Sequence, residues 1–408
     1  MRGPLTGIKV IEWSTWAIGP LAGLVLADLG ADVIKVEDPQ TGGDPARHIK
    51  WAGGFIDCEL PKGRNALFEA MNRNKRSITL HLKHPAAREL LYSLVREADV
   101  FLHNFRPGVP ERLGLDYDSL SHLNPRLVYA AGSGYVPLGP DATRPALDYA
   151  GQARSGLMWA MGHPGDPPYW GSIGFADAMG GIMLAMGTLA AIAARQLQGV
   201  GQRVDASHLG ASMFLQTIAL GILLLSGDKE WPRFDRRAAG NPLWNHYRCQ
   251  DGRWLALAMI QPDRYWHDFC DAIGQPELAD DPRFQTTEQR RLNCRELVAH
   301  LDGIFATRTR DEWEEIFARY PDFIYERVQI LGDLTDDPQV QANGYISDFD
   351  HPDLGPVRLL NLPLLLSATP ASVRSAAPTL GQHTYQVLRE ELRLSDEEIA
   401  RLAEAGAI

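Results

Sequence analysis

The chain has 408 residues, a length that favours two domains over a single hydrophobic core. Apolar residues make up 45% and charged residues 22%, which argues against a disordered or fibrous chain. The formal net charge of −11 leaves no overall basic surface, so nucleic acid and anionic membranes are not expected as partners.

The N-terminal half alternates strand-like and helix-like segments. Strands are predicted at residues 8–13, 32–37, 77–82, 99–103 and 126–131, and helices at residues 20–29 and 85–98. This alternation indicates an α/β fold with a doubly wound, mainly parallel sheet that is Rossmann-like and carries helices on both faces. The N-terminus has no apolar signal region before a cleavage site, so a cytoplasmic protein is expected.

The C-terminal half suggests a second, smaller α+β domain. Two apolar stretches, at residues 178–195 and 209–226, are interrupted before they reach membrane-spanning length and are predicted to be buried helices. A strand at 252–258 is followed by predicted helices at 262–273, 286–306 and 310–319, and Ser395 with Glu398 forms a capping box for a final helix. The predicted organisation is a large domain at 1–200 completed by 345–408, a small domain at 225–330, and linkers at 201–224 and 331–344.

Several common enzyme classes are disfavoured by missing motifs. The turn at residues 14–20 lacks the three-glycine phosphate fingerprint, which disfavours a dinucleotide dehydrogenase although Glu37 stands where such enzymes bind a ribose. The chain contains no P-loop, His-Glu-x-x-His or Gly-x-Ser-x-Gly pattern. Its four cysteines lack Cys-x-x-Cys spacing, so reduced thiols and no metal site are expected.

Basic residues recur next to the middle strands. Lys75 and Arg76 precede one predicted strand, Lys83 follows it, and Arg106 and Arg112 follow the next. Two interpretations stay open: solvated charge around a sheet, or a cluster at the strand ends, where open parallel sheets hold their ligands. In an acidic protein, such a cluster suits a cofactor that carries phosphate.

Asp177 begins the most distinctive local pattern, in which two glycines and an apolar helix follow an aspartate. Spacing alone leaves two interpretations open: Asp177 caps the helix, or the helix N-terminus keeps its carboxylate ionised as a nucleophile. In the second interpretation, the N–H groups of Gly180 and Gly181 stabilise the oxyanion formed when a thioester carbonyl is attacked. Asp177, Gly180 and Gly181 are therefore the predicted catalytic set.

Ordered motifs along almost the whole chain resemble the class III coenzyme A transferases, such as formyl-CoA transferase and carnitine CoA-transferase. The matching stretches include residues 7–12, 29–37, 72–77, 104–108, 152–158, 199–205 and 377–384. In that family the nucleophilic aspartate stands ten positions before a glycine that corresponds to Gly187, and this register selects Asp177. The resemblance implies transfer of CoA from an acyl-CoA thioester to a free carboxylic acid through aspartyl anhydride and aspartyl-CoA thioester intermediates.

The resemblance also implies which residues contact CoA, a substrate and not a permanently bound cofactor. These are Ala17, Ile18, Leu80 and Lys83 with the residues between them, Asn104, Phe105, Arg106, Arg112, and Leu147 and Asp148 with the preceding alanine. Two positions depart from formyl-CoA transferase, because Asp38 replaces an arginine beside the nucleotide and Pro145 replaces a lysine. Its glycine-rich substrate loop has no counterpart at residues 237–247, so formyl-CoA and oxalate are not expected substrates.

Two other functions are alternatives. The same superfamily contains α-methylacyl-CoA racemases, whose proton-transferring histidine stands at the position of Leu147 here. Leucine cannot exchange a proton, so a racemase or other acyl-CoA isomerase is the less favoured alternative. A non-catalytic CoA-binding protein is the other, and it requires Asp177 to be only a helix cap. The resemblance further implies an interlocked homodimer in which each chain threads a ring in its partner.

Overall fold

The computed structural model describes residues 3–135 and 138–408. The strands are β1 (Lys9–Trp13), β2 (Asp32–Glu37), β3 (Trp51–Ala52), β4 (Ile56–Asp57), β5 (Lys75–Thr79), β6 (Val100–His103), β7 (Val128–Ser133), β8 (Gln202–Ser207), β9 (Trp244–Arg248), β10 (Trp254–Ala258), β11 (Tyr325–Val328), β12 (Ile346–His351) and β13 (Gly355–Leu360).

The helices alternate with these strands in the N-terminal half and dominate the rest. They are α1 (Ile18–Asp28), α2 (Ala66–Asn72), α3 (Pro85–Arg96), α4 (Val109–Leu113), α5 (Tyr117–Leu123), α6 (Asp148–Arg154), α7 (Leu157–Ala160), α8 (Phe175–Gln198), α9 (His208–Leu215), α10 (Thr217–Ser226), α11 (Pro262–Ala272), α12 (Glu277–Asp280), α13 (Thr287–Leu292), α14 (Cys294–Phe305), α15 (Arg310–Phe317), α16 (Pro338–Ala342), α17 (Thr384–Glu390) and α18 (Asp396–Glu404).

The chain divides into two units. Unit 1 comprises the residues up to Trp159, Trp170–Glu230 and Gly344–Ile408, and unit 2 comprises Ala160–Tyr169 and Trp231–Asn343. Residues 201–224, expected to be a linker, instead form β8, α9 and most of α10 within unit 1. The second expected linker, 331–344, lies almost wholly in unit 2, where it includes α16.

Unit 1 is built on a six-stranded sheet with the order β5-β2-β1-β6-β7-β8. All five neighbouring pairs are parallel. The order reverses between β1 and β6, as in a doubly wound Rossmann-like sheet, and ligands of such sheets bind beyond the carboxyl ends of the strands at this reversal. The predicted α/β fold with a parallel sheet is confirmed.

Successive strand residues alternate between two cores on opposite faces of this sheet. Val10 and Val33 belong to the core with α1 and α8, whereas Ile11 and Ile34 belong to the core with α3, α17 and α18. A strand with apolar side chains on both faces requires cover on both, which explains the nearly continuous apolar runs in the sequence.

Unit 2 combines a three-stranded antiparallel sheet, β11-β10-β9, with helices. Its aromatic core includes Trp266, Phe305, Trp313 and Phe317, all at most 1% exposed. The helix expected at 286–306 is interrupted between α13 and α14 at Asn293. The Asn293 side-chain amide donates hydrogen bonds to the carbonyls of Arg283 and Gln289, a competition with helical hydrogen bonding that is typical of asparagine.

Strand β5 begins two residues earlier than expected, at Lys75. The sequence pattern predicts a turn at Lys75 and Arg76, because charged residues favour solvent. In the structure both side chains pair with acids of neighbouring strands, Lys75 with Glu12 of β1 and Arg76 with Asp32 of β2. Tertiary partners therefore allow these charges to lie within a strand.

The two apolar stretches of the C-terminal half have different fates. The first forms α8, which is long and apolar enough to cross a membrane, a property it shares with core helices of soluble proteins, and it packs on the sheet. The second forms α9 and α10, which bend by 79° at Gln216. No residue of α10 is buried, so the prediction of a second buried helix is wrong. Unit 1 leaves this apolar surface uncovered, with Ile218 at 81% and Leu225 at 92% exposure.

Candidate active site

The loop after β1 is held at the carboxyl end of the sheet, beside the end of β6. Asn104, directly after β6, accepts a hydrogen bond from the backbone N–H of Thr15 at 2.9 Å and donates one to its carbonyl at 2.6 Å. Trp16 adopts a left-handed backbone conformation with φ of 64°. The Asn104 side chain, expected to contact CoA, thus fixes the loop that leads to Ala17 and Ile18.

Four charged side chains form a buried charge cluster beneath this loop: Glu12, Lys35, Asp44 and Lys75. The Lys35 ammonium lies 3.2 Å from Glu12 Oε1 and 2.9 Å from Asp44 Oδ2. The Lys75 ammonium lies 2.8 Å from Glu12 Oε2. Asp44 Oδ1 accepts a hydrogen bond from the backbone N–H of Trp16 at 3.0 Å. The cluster therefore anchors the loop from within the fold.

Burial acts differently on the two lysines of the cluster. Burial opposes charge on Lys35, but the carboxylates of Asp44 and Glu12 outweigh it and raise its pKa. For Lys75, burial dominates over the attraction of Glu12, and the pKa falls to about 8. The carbonyl of Pro20 and the side-chain oxygen of Asn72 also accept hydrogen bonds from the Lys75 ammonium. Both lysines serve the fold, which removes Lys75 from the cations available to a ligand.

An open groove of about 360 Å³ lies beside the loop. It gathers residues from the ends of β1, β2 and β5, and from α4 and the loop before it. Four of the residues expected to contact CoA line it together with Asp38, namely Leu80, Leu82, Lys83 and Phe105. Phe105 packs on Trp13 with ring centroids 4.0 Å apart, so the groove has an aromatic wall.

Three expected CoA contacts remain available as cations. Lys83, Arg106 and Arg112 are exposed, and within the part of the chain that the structure describes none of them forms an ion pair. Arg76, by contrast, is paired with Asp32 and Glu391. The strand-end cluster proposed from the sequence is therefore smaller than expected, because internal acids neutralise the residues that open β5.

Acids at the end of β2 are also engaged by protein groups. Glu37 accepts hydrogen bonds from Arg47 at 2.7 and 2.8 Å and from the Ser77 hydroxyl at 2.6 Å, so its carboxylate is not free to bind a ribose. Asp38 lies 3.1 Å from Nδ1 of His81, which places a carboxylate–imidazole contact at the rim of the groove.

Asp177 is the third residue of α8, within its first turn, and Gly174 is the N-cap. The interpretation of Asp177 as the N-cap is therefore wrong. The position still places the carboxylate in the first turn, at the positive end of the helix dipole, a location that stabilises negative charge by about 0.3–1 kcal/mol. Its side chain is 18% exposed, so one side remains open to a substrate.

Asp148, and not Asp177, is the side chain that accepts hydrogen bonds from the first backbone N–H groups of α8. Its Oδ1 accepts hydrogen bonds from the N–H groups of Ala176 at 2.7 Å and Asp177 at 3.2 Å. Its Oδ2 accepts one from Gln152, which also donates to the Ser172 carbonyl. Asp148 was expected among the CoA contacts, but the residue is only 8% exposed, and both of its carboxylate oxygens accept hydrogen bonds from the protein. It orients Asp177 instead.

His208 is the residue of this site that the sequence analysis did not find. It is the first residue of α9, and its Nε2 lies 2.8 Å from Oδ1 of Asp177. The available signal was its position directly after β8, at the carboxyl end of a strand of a parallel sheet. The residues that the structure describes include no group of three or more His, Cys, Asp or Glu side chains suited to a metal ion.

Comparisons with known proteins decide the family. The model of CoA-transferase family III matches residues 5–384. An acyl-CoA transferase from Fusarium pseudograminearum is 36% identical over 411 residues, covering 100% of this chain and 89% of that protein. The (R)-2-hydroxy-4-methylpentanoate CoA-transferase of Clostridioides difficile is 30% identical over 409 residues, covering 99% of both chains. A solved CaiB/BaiF family protein from Brucella suis has a TM-score of 0.84 at 31% identity, with coverage of 96% of this chain and 100% of that one.

This chain belongs to CoA-transferase family III. The resemblance found in the sequence is thereby confirmed, and the protein is an enzyme whose substrates are CoA thioesters.

Within this CoA-transferase, Gly180 and Gly181 have a packing role. A Cβ on Gly180 would lie 2.7 Å from Ile18 Cδ1, and one on Gly181 would lie 2.7 Å from Leu21 Cβ. Both residues lie beyond the first turn of α8, where backbone N–H groups bond to carbonyls of the preceding turn. They are therefore not placed as the oxyanion donors expected from the sequence. They instead let α1, and with it Ile18, approach the turn that carries Asp177.

Proposed function

We propose that this enzyme transfers CoA from an acyl-CoA thioester to a free carboxylic acid, with Asp177 as the covalent nucleophile. The observation that carries this proposal is the carboxylate in the first turn of α8, held through its backbone by Asp148 and through Oδ1 by His208. Its other oxygen has no hydrogen-bond partner among the residues that the structure describes. A carboxylate fixed on one side and open on the other suits nucleophilic attack.

CoA is proposed to bind in the groove beside the loop of residues 14–18. Its phosphates would meet Lys83, Arg106 and Arg112, exposed cations of this region, and Phe105 supplies apolar surface. Ala17 and Ile18 lie where this loop enters α1, and Ile18 packs against Gly180 of α8, which would direct the thioester end toward Asp177. Asp38 stands among these groups as a negative charge, so we expect its contact with the nucleotide to go through a hydroxyl or amine donor.

The reaction is proposed to conserve the energy of the thioester. Asp177 attacks the donor carbonyl and releases CoA as the thiolate, which leaves a mixed anhydride. The thiolate then attacks the aspartyl carbonyl, releases the donor acid and forms an aspartyl-CoA thioester. The acceptor carboxylate reverses both steps through a second anhydride. Water would hydrolyse these intermediates, so a closed site is required.

An isomerase of the racemase type is less well supported. Leu147 is exposed and carries no titratable group. His208 does supply an imidazole, but it is hydrogen-bonded directly to Asp177, whereas inversion at a carbon requires two proton-transferring groups on opposite faces. A binding protein without activity would not need the nucleophile to be oriented by two separate side chains.

We further propose a cytoplasmic homodimer of the interlocked kind. The exposed apolar residues of α9 and α10, among them Phe214, Ile218 and Leu225, form a surface too apolar for a monomer. A second copy that covers them would explain why they are unburied in unit 1. Sedimentation at low concentration tests this: a dimer that persists without subunit exchange is expected, and a stable monomer would contradict it.

The test of the activity mixes acyl-CoA donors with free acids and follows exchange by mass spectrometry. Asp177→Ala is expected to lower exchange by at least about 10³-fold, because it removes the covalent route. Asp118→Ala removes an exposed first-turn aspartate from α5 and is the matched control, expected to leave exchange unchanged. Undiminished exchange in Asp177→Ala would reject the nucleophile. Deuterium uptake at the α carbon without CoA exchange would favour the isomerase.

A further inference from the structure

The imidazole of His208 is enclosed between α6 and α8. A Cβ on Gly151 of α6 would lie 2.7 Å from His208 Cβ, and one on Gly180 of α8 would lie 3.8 Å from His208 Cδ2. The residue is 4% exposed. Gly151 thus permits the close approach of α6 to His208, Gly180 lies near the ring on the side of α8, and the buried ring has little freedom to move.

The hydrogen-bonding capacity of this ring is directed at Asp177. An ionised carboxylate accepts hydrogen bonds and donates none, so the proton of the 2.8 Å contact belongs to Nε2 of His208. Its Nδ1 is buried and has no hydrogen-bond partner in residues 3–135 and 138–408. The neutral tautomer with hydrogen on Nε2 satisfies these surroundings, because it places no second N–H in the buried position.

We infer that His208 is a catalytic hydrogen-bond donor that stabilises the oxyanion formed on Oδ1 of Asp177 during transfer. This inference rests on the proposed function. Stabilisation is needed at this atom because attack on the aspartyl carbonyl carbon Cγ moves an electron pair onto the oxygen that did not form the anhydride. If Oδ2 carries the acyl group, that oxygen is Oδ1, the atom that already accepts from Nε2.

The bonds balance without an added acid or base. In the first step Oδ2 bonds to the thioester carbonyl carbon, and the carbon–sulfur bond breaks to give the CoA thiolate. In the second step the thiolate sulfur bonds to Cγ, charge develops on Oδ1, and the Cγ–Oδ2 bond breaks as the donor carboxylate leaves with its electron pair. In the third step an acceptor carboxylate oxygen bonds to Cγ, Oδ1 carries the charge again, and the Cγ–sulfur bond breaks to release the thiolate. In the fourth step the thiolate bonds to the acyl carbon of this second anhydride, and the bond from that carbon to the aspartyl oxygen breaks, which regenerates the carboxylate and gives the acceptor acyl-CoA.

No proton is taken up or released in these steps, so His208 does not need to act as a general acid or as a general base. A fixed donor is what the chemistry requires, since charge develops twice on the same oxygen. His208 therefore fills the part that the sequence had given to the N–H groups of Gly180 and Gly181, and it acts on the aspartyl carbonyl instead of the acyl carbonyl.

A matched pair of amide variants tests this donor. His208→Gln places an amide N–H at about the reach of Nε2, whereas His208→Asn places it closer to the backbone, at about the position of Nδ1. Both variants are uncharged and polar, so they share the cost of burial. We expect His208→Asn to lower kcat by about 10²–10³-fold with little change in the KM for acyl-CoA, and His208→Gln to recover most of the loss.

The covalent intermediate gives a second measurement. Intact-protein mass spectrometry after rapid mixing with acyl-CoA should show the CoA adduct forming more slowly in His208→Asn than in the wild type or in His208→Gln. Equal rates in the two variants and the wild type, or equal loss in both variants with a raised KM, would overturn the inference. Asp177→Ala measured in parallel separates the cases: if it retains exchange the proposed function fails, whereas normal His208 variants beside an inactive Asp177→Ala reject only the role of His208.

Discussion

Unit 1 contains two ionic arrangements of opposite character, the buried charge cluster under the loop after β1 and the pair of Asp177 and His208 at the start of α8. In the cluster, two ammonium groups and two carboxylates are fully buried, and each is paired with the opposite charge. In the pair, the carboxylate is partly exposed and the imidazole retains an unpaired nitrogen.

The difference separates charges that build a site from charges that react in it. Removing one partner of a buried ion pair costs several kcal/mol of stability, and a charge that is already paired inside the protein is not available to bind a substrate. A carboxylate that is to act as a nucleophile needs one oxygen accessible to the substrate. Asp148 bonds to the backbone N–H of Asp177 and so leaves the Asp177 side chain accessible. The cluster then acts at a distance, by fixing the loop that would bring CoA to the nucleophile.

The largest effect on stability is expected from Lys35→Met, which leaves the buried Asp44 carboxylate without a cation and leaves Glu12 paired with Lys75 alone. The free energy of unfolding should fall by about 3–5 kcal/mol in urea titrations, the range for removal of one partner from a buried ion pair. Lys50→Met is the control, because the Lys50–Glu59 pair is about half exposed, and it should leave the unfolding midpoint unchanged. Equal effects of the two substitutions would mean that burial does not distinguish the cluster.

The second effect depends on pH and concerns His103, directly before Asn104. Burial, aided by the charge of Arg203, lowers the pKa of His103 to about 3, while its ordinary value applies in the unfolded chain. Its contribution to stability is therefore complete above the unfolded pKa and is lost as pH falls, by roughly 2 kcal/mol between about pH 7 and about pH 5.

His103→Asn measures that loss directly. The variant keeps an acceptor for the N–H of Phe105, which bonds to Nδ1 of His103 at 3.2 Å. In urea titrations, the free energy of unfolding should fall more between neutral and mildly acidic pH for the wild type than for the variant. Parallel pH profiles for the two proteins would show that the imidazole titrates alike in the folded and unfolded states.

The smallest stability effect, and the sharpest functional one, is expected from Asp148→Asn. The amide retains one acceptor oxygen in place of two, and the lost hydrogen bond should cost about 1 kcal/mol of stability. The loss of CoA exchange should be larger than this stability cost implies. The single amide oxygen cannot accept hydrogen bonds both from Gln152 and from the N–H groups at the start of α8, so Asp177 is expected to shift. Asp116→Asn makes the same change at the N-cap of α5, where it also leaves one acceptor oxygen, and a comparable stability cost with normal exchange is expected. Equal activity of the two variants would reject the orienting role of Asp148.

The sequence by itself determined the family, the parallel sheet and the register of Asp177. Each of these follows from local information: apolar runs bounded by glycine and proline, motif order, and a fixed count back from Gly187. The same local information explains the largest errors, since charged residues at the start of β5 looked solvated and the apolar residues of α10 looked buried. The charged residues of β5 are paired with acids on neighbouring strands. The apolar residues of α10 are not buried by the described residues of unit 1.

Only the tertiary structure decided which side chains meet Asp177. Asp148 precedes Asp177 by 29 residues and His208 follows it by 31, and neither spacing has a periodicity that predicts contact. Their meeting depends on the packing of α6, α8 and α9, and on glycines that permit close approach. The physical reason is that a hydrogen bond between distant residues is fixed by how the helices pack, and a single sequence does not specify that packing residue by residue.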